Sequence, residues 1–289
     1  MRWREGRRSQ NVEDYRGSGG GGLGGGGFKL GIGSLVLLAA AYFLGVDPRL
    51  VMGIMQGTQG SDTALESGPV RTAAPTDEAG DFLSVILADT EDVWTPIFQA
   101  AGTQYSPPRL RLYEGGTRSG CGSASAEAGP FYCPADQRVY IDPAFFDELA
   151  QRFQAPGDFA QAYVLAHEVG HHVQTLIGVS DKVRAAQQRA SQEEQNALQV
   201  RMELQADCFA GIWANHTQRS RDWLETGDIE EGLRAAAAVG DDMIQKRAQG
   251  YVVPESFTHG SAEQRQRWFN RGFENGQVNS CDTFAARSL

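Results

Sequence analysis

The segment Ala162–Gln174, AYVLAHEVGHHVQ, constrains this chain more than any other stretch. Tyr163, Leu165, Ala166, Val169 and Val173 give it the apolar flanks of a helix packed into a core, yet histidines and a glutamate sit in its middle. His167 and His171 are four residues apart, about 40° around a helix, so both imidazoles leave one face and can share a metal ion. Glu168 projects about 60° from His171, beside such an ion rather than on it, where a general base for an activated water belongs. The plainer alternative is a core helix with two internally satisfied histidines. A third ligand would decide between them.

That ligand should be His, Glu or Asp. The longer pattern HExxHxxGxxH fails, because Gln174 and Ile177 occupy its glycine and third histidine positions. Arg201–Gly211, RMELQADCFAG, offers Glu203 and Asp207 instead. At i and i+4 they share a helix face, so Glu203 can bind zinc while Asp207 accepts the free ring N–H of a ligand histidine. Met202, Leu204, Ala206, Cys208 and Phe209 make this a buried helix, where an idle pair of carboxylates would be costly. Glu193 and Glu194 are rival ligands, but they lie in a Gln/Glu-rich, solvated stretch. Of the other histidines, His172 points about 100° away from His171 and reads as a packing or surface residue, and His216 as exposed.

The rest of the chain sorts into four parts. Residues 1–29 form a basic, Gly-rich tail, with six basic side chains against three acidic ones, and nine of the eleven residues Gly17–Gly27 are glycine. Leu30–Val46 is an uncharged run of seventeen residues, about 25 Å long as a helix and at the short end for crossing a bilayer. A cleaved signal peptide is the rival, but the run starts late and no clear small-x-small site follows it. Arg7–Arg8 is not followed by the apolar residues of a twin-arginine signal. The expectation is one transmembrane anchor, the N-terminus cytoplasmic and the remainder exported to a periplasmic or extracellular space. Residues 47–77 read as a linker and 78–289 as the folded domain.

Within that domain, helical spacing covers 81–101, 143–153, 158–177, 182–217, 228–248 and 261–275. Ser191–Glu194 resembles a capping box that would divide the fourth of these. Strand alternation appears at 109–113 and 138–141. The expected fold is α+β, mostly helical, with a small early sheet. A formal net charge of -10 argues against nucleic acid as a partner. Cys121 and Cys133 bracket a Gly/Ser/Ala-rich loop that a disulfide would restrain, leaving Cys208 and Cys281 as the second pair; four separate buried thiols are the alternative. No CxxC is present to suggest a structural zinc knuckle.

HEVGH with ELQAD about thirty residues later resembles the Glu-zincins, the thermolysin-like clan. Together with RWREGRRSQNVEDYRG, the Gly tract and FTHGSAEQRQRWF, the chain resembles the neutral zinc metallopeptidases that carry a single N-terminal membrane anchor. The resemblance implies a zincin-like catalytic domain with Zn²⁺ on His167, His171 and Glu203, Glu168 as general base, and a peptide or protein substrate. A similar His…Arg arrangement in membrane-associated Glu-zincins stabilises the oxyanion of the tetrahedral intermediate, which assigns that task to His259 and Arg265, with Tyr251 as a weaker candidate. Competing readings are a zinc-stabilised envelope adaptor without proteolysis and a cell-wall amidase.

Overall fold

The computed structural model describes residues 1–17, 75, 77–125 and 128–289; the apolar run 30–46 and most of the expected linker lie outside them. Strand β1 (Val12–Asp14) comes first, then helix α1 (Glu78–Ala100). Strands β2 (Arg109–Leu112), β3 (Gly116–Ser119), β4 (Gly122–Ser125), β5 (Phe131–Cys133) and β6 (Arg138–Ile141) follow. The remainder is helical: α2 (Ala144–Gln151), α3 (Asp158–Leu176), α4 (Val179–Gln187), α5 (Gln192–Arg221), α6 (Asp228–Ala238), α7 (Asp241–Gln249) and α8 (Ala262–Asn275). The α+β, mostly helical expectation fits. No helix among the described residues is long and apolar enough to cross a membrane.

The main sheet has the order β1-β2-β6-β5. β1, β2 and β6 run parallel, and β5 pairs antiparallel with β6 as the outer strand. Strands β3 and β4 form a separate hairpin. Leu110, Leu112, Val139 and Ile141 point into the core that α1, α3 and α5 cover. The capping box does divide the long helical stretch, since Ser191 and Glu194 bond each other's backbone at the start of α5. The expected helix 228–248 also divides, at Gly240.

The N-terminal residues differ most from the sequence reading. Residues 1–16 belong to the same compact unit as the chain from Val70 onward, not to a solvated tail. Trp3 and Val12 are buried in the main core, Trp3 edge-on to Phe82 at 5.1 Å. Four of the basic residues that suggested a cytoplasmic tail have acidic partners in and just before α1. Arg4 meets Glu78 at 2.7 Å, Arg7 meets Glu91 at 2.8 Å and Arg8 meets Asp81 at 2.6 Å. Arg16 bridges Asp14 and Asp77. Glu13 is buried beneath Arg109, Arg111 and Arg138, at 3.0, 3.4 and 3.2 Å. Burial opposes its charge, but the three guanidiniums win and hold the Glu13 carboxyl below its ordinary range.

Two glycine contacts set the spacing around the centre. A Cβ on Gly170 would meet the Ala206 carbonyl oxygen at 2.9 Å, so α3 and α5 approach closely opposite the two histidines. A Cβ on Gly272 would fall 1.9 Å from the Cys208 carbonyl oxygen, which lets α8 lie against α5 beside Asp207. Cys208–Cys281 then ties α5 to the C-terminal turn, and Cys121–Cys133 ties the β3–β4 region to β5. Both pairings are those expected.

Candidate metal centre

Helix α3 supplies His167, Glu168 and His171, and α5 supplies Glu203 and Asp207. His167, His171 and Glu203 each offer one ligand atom, all within 4.8 Å of one another. Glu203 Oε2 lies 3.2 Å from His167 Nε2 and 3.5 Å from His171 Nε2. Tetrahedral zinc with ligands at 2.0–2.1 Å spaces them about 3.3 Å apart, so this N,N,O set fits Zn²⁺ in both chemistry and spacing. The other group of clustered acids among the described residues, Asp158, Asp228 and Glu231, is all carboxylate and neighbours the Met1 amino group.

Each histidine is oriented through its other nitrogen. His167 Nδ1–H donates to Asp207 Oδ1 at 2.8 Å, which leaves Nε2 to face the ion. His171 Nδ1–H donates to Gln174 Oε1 at 2.9 Å, while Gln174 Nε2 donates to the Met202 carbonyl and to Gln205. Gln174 was noticed in the sequence only as the residue that breaks a longer motif; an uncharged amide carries no ligand signal. Glu203 keeps Oε1 on Gln199 Nε2 at 2.8 Å.

Asp207 is fully buried and has three kinds of partner. Arg265 donates to it twice, Nε to Oδ2 at 2.8 Å and Nη2 to Oδ1 at 2.9 Å, and Tyr163 O–H donates as well. Burial works against the charge, but Arg265 and His167 bring the Asp207 carboxyl down to about 2. Arg265 also bonds the Tyr163 oxygen at 3.1 Å. Its guanidinium is thus engaged with Asp207, whereas the sequence pattern assigned it to an oxyanion. A buried arginine takes the buried carboxylate that compensates it.

His259 stands on the loop before α8, lines the cleft and feels the Glu203 charge. Its Nδ1 lies 3.2 Å from Asp241 Oδ1, and the backbone N–H groups of Thr258, His259 and Gly260 donate to Asp241 Oδ2. Asp241, the first residue of α7, therefore fixes the loop that carries His259. Nothing in its local sequence marks it. Tyr251 is exposed, His216 bonds the Gly276 carbonyl, and Glu194 serves the capping box.

Without metal, burial opposes a charged His167, but Asp207 and Glu203 outweigh that and raise it to about 10. Zinc must therefore displace a proton near neutral pH. Titration of the metal-free protein with zinc in two buffers of different ionisation enthalpy should give heats that differ with the buffer, the signature of proton release. Buffer-independent heats would contradict the charge state. The protonated pair stabilises the metal-free fold fully below pH 6.5 and ceases to do so as pH rises through about 10.

Two histidines and a glutamate on packed helices, with a carboxylate behind one imidazole and a glutamate beside the other, form a three-ligand set that suits a single metal ion. The chain belongs to the family described as "Putative neutral zinc metallopeptidase", whose model matches residues 1–284 and so includes β1. The family implies Zn²⁺ as the cofactor. "Uncharacterized protein YpfJ" of Escherichia coli K12 is 52% identical over 291 residues, spanning 98% of this chain and 99% of the relative. "Uncharacterized protein Rv2575" of Mycobacterium tuberculosis H37Rv is 41% identical over 266 residues, 86% of each. No solved structure matches.

Proposed function

We propose that the protein is a zinc-dependent peptidase with a zincin-like catalytic domain, hydrolysing peptide bonds of peptide or protein substrates. The observation that carries this reading is Glu168. It is 8% exposed, lines a cleft of about 540 Å³ beside the ligands, and forms no hydrogen bond or ion pair with the described residues. A structural metal site needs no such carboxylate, and a nearly buried one without a partner is costly unless it serves the cleft. His167, His171 and Glu203 would hold the zinc, which when bound would supply Lewis acidity toward the water and the scissile carbonyl. Glu168 takes a proton from the attacking water and returns it to the leaving amine. His259, held by Asp241, faces the cleft as a donor for the developing oxyanion. Arg265 acts at one remove, by holding Asp207 against His167.

Zinc-loaded wild type should cleave casein or a peptide library, and Glu168→Gln should lower kcat by about 10²–10⁴ while keeping its zinc. Equal cleavage by the two proteins would remove Glu168 from the chemistry, and no cleavage by wild type would leave only a zinc-stabilised binding domain.

The two disulfides support an exported domain. Because residues 1–16 pack within it, we place them on the same side as the zinc centre rather than in the cytoplasm.

A further inference from the structure

His172 is completely buried, although it adjoins a metal ligand and the site makes no use of it. Both of its nitrogens are engaged away from the metal. Nε2–H donates to the Ser106 carbonyl at 2.6 Å, in the loop between α1 and β2. That fixes the tautomer, so Nδ1 accepts from the Tyr132 hydroxyl at 3.0 Å. The rings of Tyr105 and Tyr132 stand edge-on to it at 5.9 and 5.4 Å.

Tyr132 is the middle residue of β5, the outer strand of the sheet. β5 is three residues long and pairs only with β6 among the described strands. Phe131 and Tyr132 line the cleft opposite the α3 ligands. So short a strand has few ladder bonds of its own to hold it in place. The disulfide at Cys133 fixes its end, and the bond from Tyr132 to His172 fixes its middle to the metal-bearing helix.

We propose that His172 is a positioning residue that holds β5 as the wall of the cleft through Tyr132, and so sets peptide affinity rather than the chemical step. The proposal rests on the peptidase reading for its kinetic consequence but not for the strand contact itself. Losing one buried hydrogen bond corresponds to about a 5–10-fold change in an equilibrium.

The experiment compares zinc-loaded wild type with Tyr132→Phe, which removes one hydroxyl, and with His172→Gln, which can still donate to Ser106. Hydrogen exchange of residues 128–134 is followed against 138–141 as internal reference, with kcat, KM and zinc content measured in parallel. Tyr132→Phe should speed exchange in 128–134 several-fold, leave 138–141 and zinc content unchanged, and raise KM about 5–10-fold at constant kcat. His172→Gln should fall between the two. Unchanged exchange overturns the proposal, as does faster exchange with unchanged KM or a fall confined to kcat. If wild type cleaves no peptide, the peptidase reading fails by itself, and the exchange result still decides whether His172 holds the strand.

Discussion

Arg265→Leu is expected to destabilise the metal-free fold by roughly 3–5 kcal/mol, because it leaves a buried carboxylate without its main compensating charge. Asp207 is fully buried and Arg265 only 3% exposed, so water cannot replace the lost fork. Tyr163 and His167 would remain on Asp207, but each donates a single bond, and neither replaces the guanidinium that donates twice. Arg265→Lys should lose less, since it keeps the charge and forfeits the bidentate geometry. Combining Arg265→Leu with Asp207→Asn should recover part of the stability, because the stranded anion is gone. Zinc affinity should not recover, since the charge that strengthens His167 as a ligand is gone too, a loss typically of about 10–100-fold. Urea unfolding with chelator and with saturating zinc, alongside competitive zinc titration, reads both quantities. An Arg265→Leu protein as stable as wild type would mean that Asp207 finds solvent or a proton at no cost, and the role given to Arg265 would fall.

The metal-bearing helix was legible because its pattern conflicts with itself: apolar periodicity demands burial, and burial forbids idle histidines and glutamates. The same conflict exposed Glu203 and Asp207. The converging donor atoms show that both helices face one point, which no spacing within either segment could establish. Gln174 and Asp241 were not legible. They act by hydrogen bonds whose partners are set by helix packing, and an amide or an acid at a helix start has many uses. His259 and Arg265 could be found only through resemblance; both line the cleft, but Arg265 spends its guanidinium on Asp207 while His259 is held by Asp241. β5 escaped notice because three residues give no alternation to read. β1 escaped for another reason. VED lies in a basic stretch, and its partners Arg109, Arg111 and Arg138 are about a hundred residues away, so only its own neighbours could be weighed.

Deleting residues 1–16 is therefore expected to prevent folding of the zinc domain rather than to trim a tail. The deletion removes Trp3 and Val12 from the main core and strips β2 of one of its two parallel neighbours. It also leaves Arg109, Arg111 and Arg138 clustered around a missing carboxylate, so the cost combines lost apolar burial with like-charge repulsion. Glu13→Gln isolates the electrostatic part. Because the folded-state pKa of Glu13 lies below 4.5, its contribution is present above that pH and fades as acid takes the carboxyl through its lowered value. Wild type should consequently lose stability on acidification more steeply than Glu13→Gln, as thermal melts across pH 3–6 would show. The packing also bears on membrane placement. Glu13 pairs with Arg109, Arg111 and Arg138, so the proposal that residues 1–16 share a side with the zinc centre can be tested directly. Cysteines at the exposed positions Glu5 and Glu263, introduced singly into the full chain, should react alike with a membrane-impermeant maleimide in intact cells. Labelling of position 263 alone would put the first residues across the membrane from the zinc centre and detach β1 from the sheet.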